Sequence, residues 1–250
     1  MSRHLIVANW KMNLSLGPAI AFSTKLAEKV CSIPQPIQDI AICPQAPLID
    51  AVINAVGKSS IFVGAQDCHW ERSGAHTGDI SPVLLSDLGC KYAIVGHSER
   101  RANHNEADTD VSLKAEALLE EGLIPIVCVG ESASQRDDGQ TADVISRQVL
   151  QSLPDNASSD NIVVAYEPLW AIGTGQTPTL DAIEAAHSVV RAAFSKSSRQ
   201  KADSLRILYG GSVKAANAAD ILSARGVNGA LVGGSSLELD QFWQIISSCP

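Results

Sequence analysis

No stretch of this 250-residue sequence approaches the ~20 consecutive apolar residues that a membrane-spanning helix needs. The first apolar run, Leu5–Ala8, is also shorter than the roughly 7–15 residues of a signal-peptide core. Basic residues are in deficit: 19 Lys and Arg stand against 27 Asp and Glu, for a net charge of −8. The longest basic cluster, Glu99-Arg100-Arg101, carries its own acid. A general nucleic-acid binder would show a basic patch, and none is present. A small anionic ligand is not excluded, because screening over about 8 Å leaves local groups to decide. Cys-x-x-Cys pairs are missing too. The six cysteines (Cys31, Cys43, Cys68, Cys90, Cys128 and Cys249) are scattered, which argues against a zinc site or a redox dithiol. Cys43 and Cys128, at or near the ends of apolar runs, read as buried thiols. The pattern suits a reducing compartment and a cytoplasmic location, with no membrane and no nucleic acid as partner.

There is no low-complexity tract and no domain linker; Ser195–Lys201 is an ordinary polar connection. Hydrophobic residues make up 45% of the chain and charged residues 18%. A chain of this length and composition buries a large core without disulfides or a structural metal.

Eight short apolar runs organise the sequence: Leu5–Ala8, Ile40–Cys43, Ile61–Ala65, Tyr92–Val95, Ile124–Val129, Ile162–Tyr166, Leu205–Tyr209 and Ala230–Val232. They are rich in Val and Ile and apolar throughout rather than alternating, as strands buried on both faces of a parallel sheet are. Helical periods lie between them. One opens at Gly17-Pro18, with Ile20, Phe22, Leu26 and Val30 on a face. Asp108–Glu121 carries Val111, Leu113, Ala117 and Leu118 and is ended by Gly122. Asp143–Leu153 and Thr179–Phe194 read the same way, the latter capped by Thr179 or Asp181 over a stripe of Ile183, Ala186 and Val190. Eight strand–helix repeats in this length give an α/β fold, a (β/α)8 barrel in a single domain, residues 1–250. The rival is an open doubly wound sheet. That class often has Gly-x-Gly-x-x-Gly after its first strand, where this chain has Asn9-Trp-Lys-Met-Asn13, without glycine.

In a barrel the strand C-termini share one rim, and active sites are built there. The residues that follow the runs are Asn9 and Lys11, Gln66 and Asp67, His97 with Ser98 and Glu99, Glu167, Gly210-Gly211-Ser212, and Gly233-Gly234. This set lacks the His and carboxylate clustering of a metal site. It suits proton transfer beside a carbonyl, which needs a base and a donor to the enediolate oxygen. The glycine pairs let backbone N–H groups approach a phosphate at a helix start. Pro168–Gly175, apolar between a strand and a helix, reads as a lid that excludes water and desolvates Glu167. Singly, each signal has a plainer reading: a solvated rim lysine, a satisfied histidine, a helix-start carboxylate, a tight turn.

The motifs Val7-Ala-Asn-Trp-Lys-Met-Asn13, Gly64-Ala-Gln-Asp67, Val95-Gly-His-Ser-Glu-Arg-Arg101, Cys128-Val-Gly-Glu131, Ala165–Gly175, Tyr209-Gly-Gly-Ser-Val213 and Leu231-Val-Gly-Gly234 also carry a resemblance. In kind and in order, over nearly the whole chain, they resemble those of the triosephosphate isomerase family, a well-known case of pKa tuning and of loop closure. The resemblance implies the TIM barrel fold, interconversion of dihydroxyacetone phosphate and glyceraldehyde 3-phosphate, and no cofactor or metal. It implies Glu167 as the base, His97 as a neutral electrophile and Lys11 as electrostatic support. Asn9 would contact substrate, and Gly173, Ser212, Gly233 and Gly234 would hold the phosphate. Glu99 matches a supporting position. It also implies a homodimer in which the loop Asp67–Asp79, with Thr77 at its tip, reaches the partner near its Lys and His. An aromatic residue is common where this chain has His76, and Leu169 replaces a frequent Val. The alternatives are a relative acting on a four-carbon ketose phosphate such as erythrulose phosphate, a catalytically idle phosphate-binding barrel, and a Schiff-base aldolase acting through a lysine.

Overall fold

The computed structural model describes residues 3–33, 38–172, 176–197 and 202–250. Eight strands form a closed parallel barrel in chain order: β1 Leu5–Asn9, β2 Asp39–Cys43, β3 Ile61–Ala65, β4 Tyr92–Val95, β5 Ile124–Val129, β6 Val163–Tyr166, β7 Arg206–Tyr209 and β8 Gly229–Val232. β1 closes the circle, with Ile6 opposite both Ile40 of β2 and Ala230 of β8. All eight expected strands are present, within a residue or so at each end.

Around the barrel run α1 Leu16–Cys31, α2 Ile49–Val56, α3 Pro82–Leu88, α4 Ser98–Asn103, α5 Asp108–Glu120, α6 Ala133–Asp137, α7 Thr141–Ser152, α8 Leu180–Ser197, α9 Ala218–Ser223 and α10 Leu239–Ser247. Their ends follow local chemistry. Ser81 caps α3 by accepting the Leu84 N–H, Pro82 opens the helix, and Gly89 ends it in the left-handed region at φ 93°. The Thr179 hydroxyl accepts the Ala182 N–H and so caps α8 as expected.

Because side chains alternate along a strand, each strand feeds two cores. Leu5, Val7, Ala41, Cys43, Tyr92, Ile94, Ile126, Cys128, Val163, Ala165, Leu208 and Leu231 fill the barrel interior. Their alternate neighbours, such as Ile6, Ile42, Val95 and Ile207, pack outward with helix residues Phe22, Leu26, Leu118 and Phe242. Each fully buried Leu or Ile contributes about 1.5–3 kcal/mol. Cys43 and Cys128 are buried, as expected, and burial holds both thiols protonated.

Two expected core positions are corrected. Ile20 is 39% exposed and Leu113 is 45% exposed. Ile20 lies at the margin of a stripe formed by Ala19, Phe22, Ser23, Leu26, Ala27 and Val30. Leu113 lies nearly opposite Val111 at ~100° per residue. The residue that turns inward in its place is Lys114, buried with its ammonium bonded to Asp67 and Glu106 at 2.8 and 2.6 Å.

Candidate active site

The inward phase of several strands continues past their ends, and this carries polar groups onto the rim. From Leu5 and Val7 the same alternation gives Asn9 and then Lys11; from Val163 and Ala165 it gives Glu167. Lys11 has φ 50°, a left-handed backbone that costs a residue with a Cβ about 1–2 kcal/mol. Three contacts hold it there. The Lys11 N–H donates to Asn9 Oδ1 at 3.1 Å, and the Gln66 amide donates to the carbonyls of Lys11 at 2.8 Å and Cys43 at 2.9 Å. The Lys11 ammonium lies 2.5 Å from Glu99 Oε1.

His97 reaches the site by a turn. Gly96, at φ 65°, has no room for a Cβ, which would sit 2.7 Å from Val111 Cγ2. The turn makes His97 the N-cap of α4, where Nδ1 accepts the Glu99 N–H at 3.2 Å. A neutral ring held this way carries its proton on Nε2, 3.0 Å from Glu167 Oε1. The other Glu167 oxygen accepts the Ser98 N–H at 2.9 Å. Gly210 leaves the space for this carboxylate, since a Cβ there would meet Glu167 Cγ at 2.9 Å.

Glu167 is 2% exposed and His97 6%. Burial pushes the Glu167 carboxyl up, but His97, the Ser98 N–H and the Lys11 ammonium together hold it below the usual carboxylate range, so it is ionised. Burial pushes His97 down, and the facing Glu167 carboxylate outweighs it, so the net direction is upward. That upward pull comes chiefly from Glu167, with a further part from Glu99, while burial and the Lys11 ammonium act the other way.

Opposite these groups lie the glycine turns. Gly233, at φ −86° and ψ −115°, leads into a single helical turn, Gly234–Ser236. The first N–H groups of such a turn have no partner within it. The Ser212 hydroxyl donates to Ala171 O at 2.8 Å, which ties the β7 turn to the segment after β6. In that segment Leu169–Ala171 forms a short helical turn, and Trp170 Nε1 donates to buried Glu131 at 2.9 Å.

One cavity of about 510 Å³ joins Asn9, Lys11, His97, Glu167, Ser212, Gly233 and Gly234. A neighbouring hollow of about 370 Å³ shares Asn9, Lys11 and His97 and adds Glu99. Gly173, with Thr174 and Gly175 of the expected lid, lies outside the described residues. Thr77 sits apart from the cavity, exposed on the loop between β3 and α3. Sequence reasoning did not assign the Ser98 N–H, the Gln66 clamp or Lys214, which also lines the cavity. Gln66 and Ser98 follow strand ends, and that position was the available signal.

A buried ionised carboxylate, an imidazole N–H and an ammonium thus face one side of a cavity whose other side is glycine backbone. The set matches removal of a proton beside a carbonyl in a small phosphorylated molecule. The triosephosphate isomerase family model matches residues 4–249. Triosephosphate isomerases of Afipia carboxidovorans and Rhodopseudomonas palustris are each 48% identical to the chain, over 99% of it and 98% of the relative. The crystal structure of triosephosphate isomerase from Bartonella henselae superimposes with a TM-score of 0.90 at 35% identity, covering 99% of both chains.

Proposed function

The chain belongs to the triosephosphate isomerase family and interconverts dihydroxyacetone phosphate and glyceraldehyde 3-phosphate, and we propose that Glu167, His97 and Lys11 are the groups that carry this reaction. The observation that carries the proposal is the placement of Glu167, buried, ionised and held between His97 Nε2 and the Ser98 N–H. Both of its oxygens thus already have donors. The carbonyl of an arriving substrate takes over His97 Nε2–H as its hydrogen-bond donor, which frees the carboxylate to turn toward the substrate carbon.

Glu167 then takes a proton from the carbon beside the carbonyl. The released electron pair forms the enediolate, and its oxygen is stabilised by the His97 N–H and the Lys11 charge. The hydroxyl proton passes to the former carbonyl oxygen through the His97 imidazole, and the protonated Glu167 returns its proton to the former carbonyl carbon; the new carbonyl then stands on the neighbouring carbon, and the carboxylate is regenerated. Asn9 contacts the substrate and also fixes Lys11 from its own side chain. Glu99 has a supporting role, tethering the Lys11 ammonium. Ser212, Gly233 and Gly234 hold the phosphate through backbone N–H groups, joined by Gly173 from the lid. The route draws on side chains and backbone alone and uses no cofactor.

The protein is proposed to act as a homodimer in the cytoplasm. Met12 is 86% exposed beside the hollow that adjoins Lys11 and His97, and the exposed β3–α3 loop with Thr77 is of a kind to fill the same hollow on a second copy. Six unpaired thiols suit a reducing compartment.

The test is a coupled assay of glyceraldehyde 3-phosphate isomerisation by the purified protein with metal chelator present. Fast turnover that the chelator leaves unchanged is expected. No turnover from folded, dimeric protein would overturn the reading and direct the assay to four-carbon ketose phosphates, then to phosphate binding alone.

A further inference from the structure

Near its C-terminal end β5 loses a neighbour. β4 stops at Val95, and Gly96 turns the chain away at φ 65°. Successive residues of an extended chain turn their backbone groups to opposite sides. Val129 O and Glu131 O face the continuation of β6, where they accept the Glu167 N–H at 2.7 Å and the Leu169 N–H at 3.1 Å. Gly130, between them, therefore faces the side that β4 has left. It is buried, and a buried N–H and C=O need partners. Gln148 of α7 supplies both. Its Oε1 accepts the Gly130 N–H at 2.7 Å, and its Nε2 donates to Gly130 O at 3.1 Å, as an adjoining strand would.

Gly130 in turn stands against the segment that carries Glu167. A Cβ on Gly130 would overlap Glu167 O and come within 3.2 Å of Leu169 Cδ1. A cavity of about 250 Å³ lies beside these groups, lined by Cys128, Gly130, Gln148, Glu167 and Leu169 among others. Packing leaves that space unfilled, so the two amide bonds fix where Gly130 sits. We propose that Gln148 is a positioning residue for the isomerisation. Through Gly130 it sets the main chain of Glu167, and so the distance from the carboxylate to the substrate carbon. Gln148 itself touches no reacting atom, and its role rests on Glu167 being the base. A misplacement of about 1 Å can cost about 10²-fold in rate, so a shift of a few tenths of an ångström is worth roughly tenfold.

The experiment is steady-state kinetics of the full-length protein carrying Gln148→Met, alone and together with Glu167→Asp. Methionine keeps the length and helix preference of glutamine and removes both bonds. Alone it should lower kcat about tenfold and leave KM within about twofold, because Lys11 and the glycine turns are untouched. In the Glu167→Asp protein the carboxylate is already withdrawn by one methylene, and the same change should cost less than about threefold. Gln148→Glu keeps an acceptor for the Gly130 N–H and loses the donor. It too should lower kcat, with a loss relative to wild type that shrinks toward low pH, where the protonated carboxyl donates again. It serves in place of Gln148→Met if that protein does not fold. An unaltered kcat beside a lowered melting temperature would make Gln148 structural only and overturn the proposal. A tenfold loss in both backgrounds would also overturn it, since the effect would not pass through Glu167. Wild-type kcat in Glu167→Asp alone would instead overturn the base itself, which separates the two failures.

Discussion

At the N-terminal end of the barrel Arg206 reaches from the start of β7 to Asp39 at the start of β2, Nη1 to Oδ2 at 2.7 Å, and to the Tyr92 hydroxyl at 3.2 Å. At the C-terminal end Lys11 holds Glu99 at 2.5 Å and His97 holds Glu167 at 3.0 Å. The contacts are alike in type and length, yet they differ in what lies beside them. Arg206 and Asp39 are mostly buried, with the Tyr92 hydroxyl beside the guanidinium, so the pair has its partners within the protein. Lys11, His97 and Glu167 border a cavity of about 510 Å³, and an incoming carbonyl or phosphate offers the lysine and the histidine a new partner. An ion pair is structural where nothing can replace its partner, and functional where a substrate can.

The sharpest way to break that comparison is at Glu167. Glu167→Gln keeps the shape and hydrogen-bonding capacity but removes the base. Turnover should fall by about 10³-fold or more, toward the upper end of what a positioned acid–base group contributes, while circular dichroism and melting stay near wild type. Retained turnover would remove Glu167 from the mechanism.

A histidine at neither end sharpens the contrast. His187 on α8 is fully buried against Gly226 O at 3.0 Å, and burial pushes its pKa from 6.5 down to about 4. His97 is driven the other way by Glu167. As pH falls below 6.5 the unfolded chain takes up a proton at residue 187 that the native protein refuses, so stability falls with pH. From about pH 7.5 to pH 5 this amounts to about 2 kcal/mol, and nothing is lost above that window. Urea unfolding of His187→Gln should show that acid loss reduced by about this amount, with the slope above about pH 7.5 unchanged. An unaltered acid limb would mean that His187 titrates alike in both states.

Much of this was legible in the sequence, for reasons that also mark its limits. Parallel strands buried on both faces read as runs of Val and Ile, so all eight were placed to within a residue or so. Rim residues could be named because they follow those runs. The contacts between them could not. That Glu167 meets His97 and the Ser98 N–H depends on the stagger of β4 against β6 across β5, which no local pattern encodes. The burial of Lys114 was hidden by its charge, because only the fold brings Asp67 and Glu106 to it. Gln66, between Lys11 O and Cys43 O, looks in sequence like any polar residue after a strand.

The lower pair gives the next effect in size. Asp39→Asn leaves Arg206 a weaker acceptor in a mostly buried place, with 17% of the arginine side chain and 23% of the aspartate exposed. Stability should drop by about 1–2 kcal/mol. Steady-state kinetics on the same protein should give an unaltered kcat, because the pair lies at the far end of the barrel from the cavity. A fall in kcat without loss of stability would contradict the division between the two ends.

The smallest effect tests the upper pair at its weakest member. Glu99 is half exposed, so solvent already screens its hold on Lys11. The Lys11 backbone is fixed independently, by Asn9 Oδ1 and by the Gln66 amide. Removing the Glu99 charge therefore leaves the ammonium in the cavity and loosens only its position. Glu99→Gln should lower kcat/KM by no more than about fivefold, with the loss shrinking as salt is raised and the charge it removes is screened in wild type too. The sign carries the information. The glutamate competes with the substrate for the same ammonium, so a small gain in substrate affinity beside a reduced kcat would mean that Glu99 orients Lys11 for the transition state. Equal losses in both would mean that it only keeps the lysine near the site. A loss as large as that of Glu167→Gln would place Glu99 among the groups that act on the substrate and so redraw the division within the rim itself.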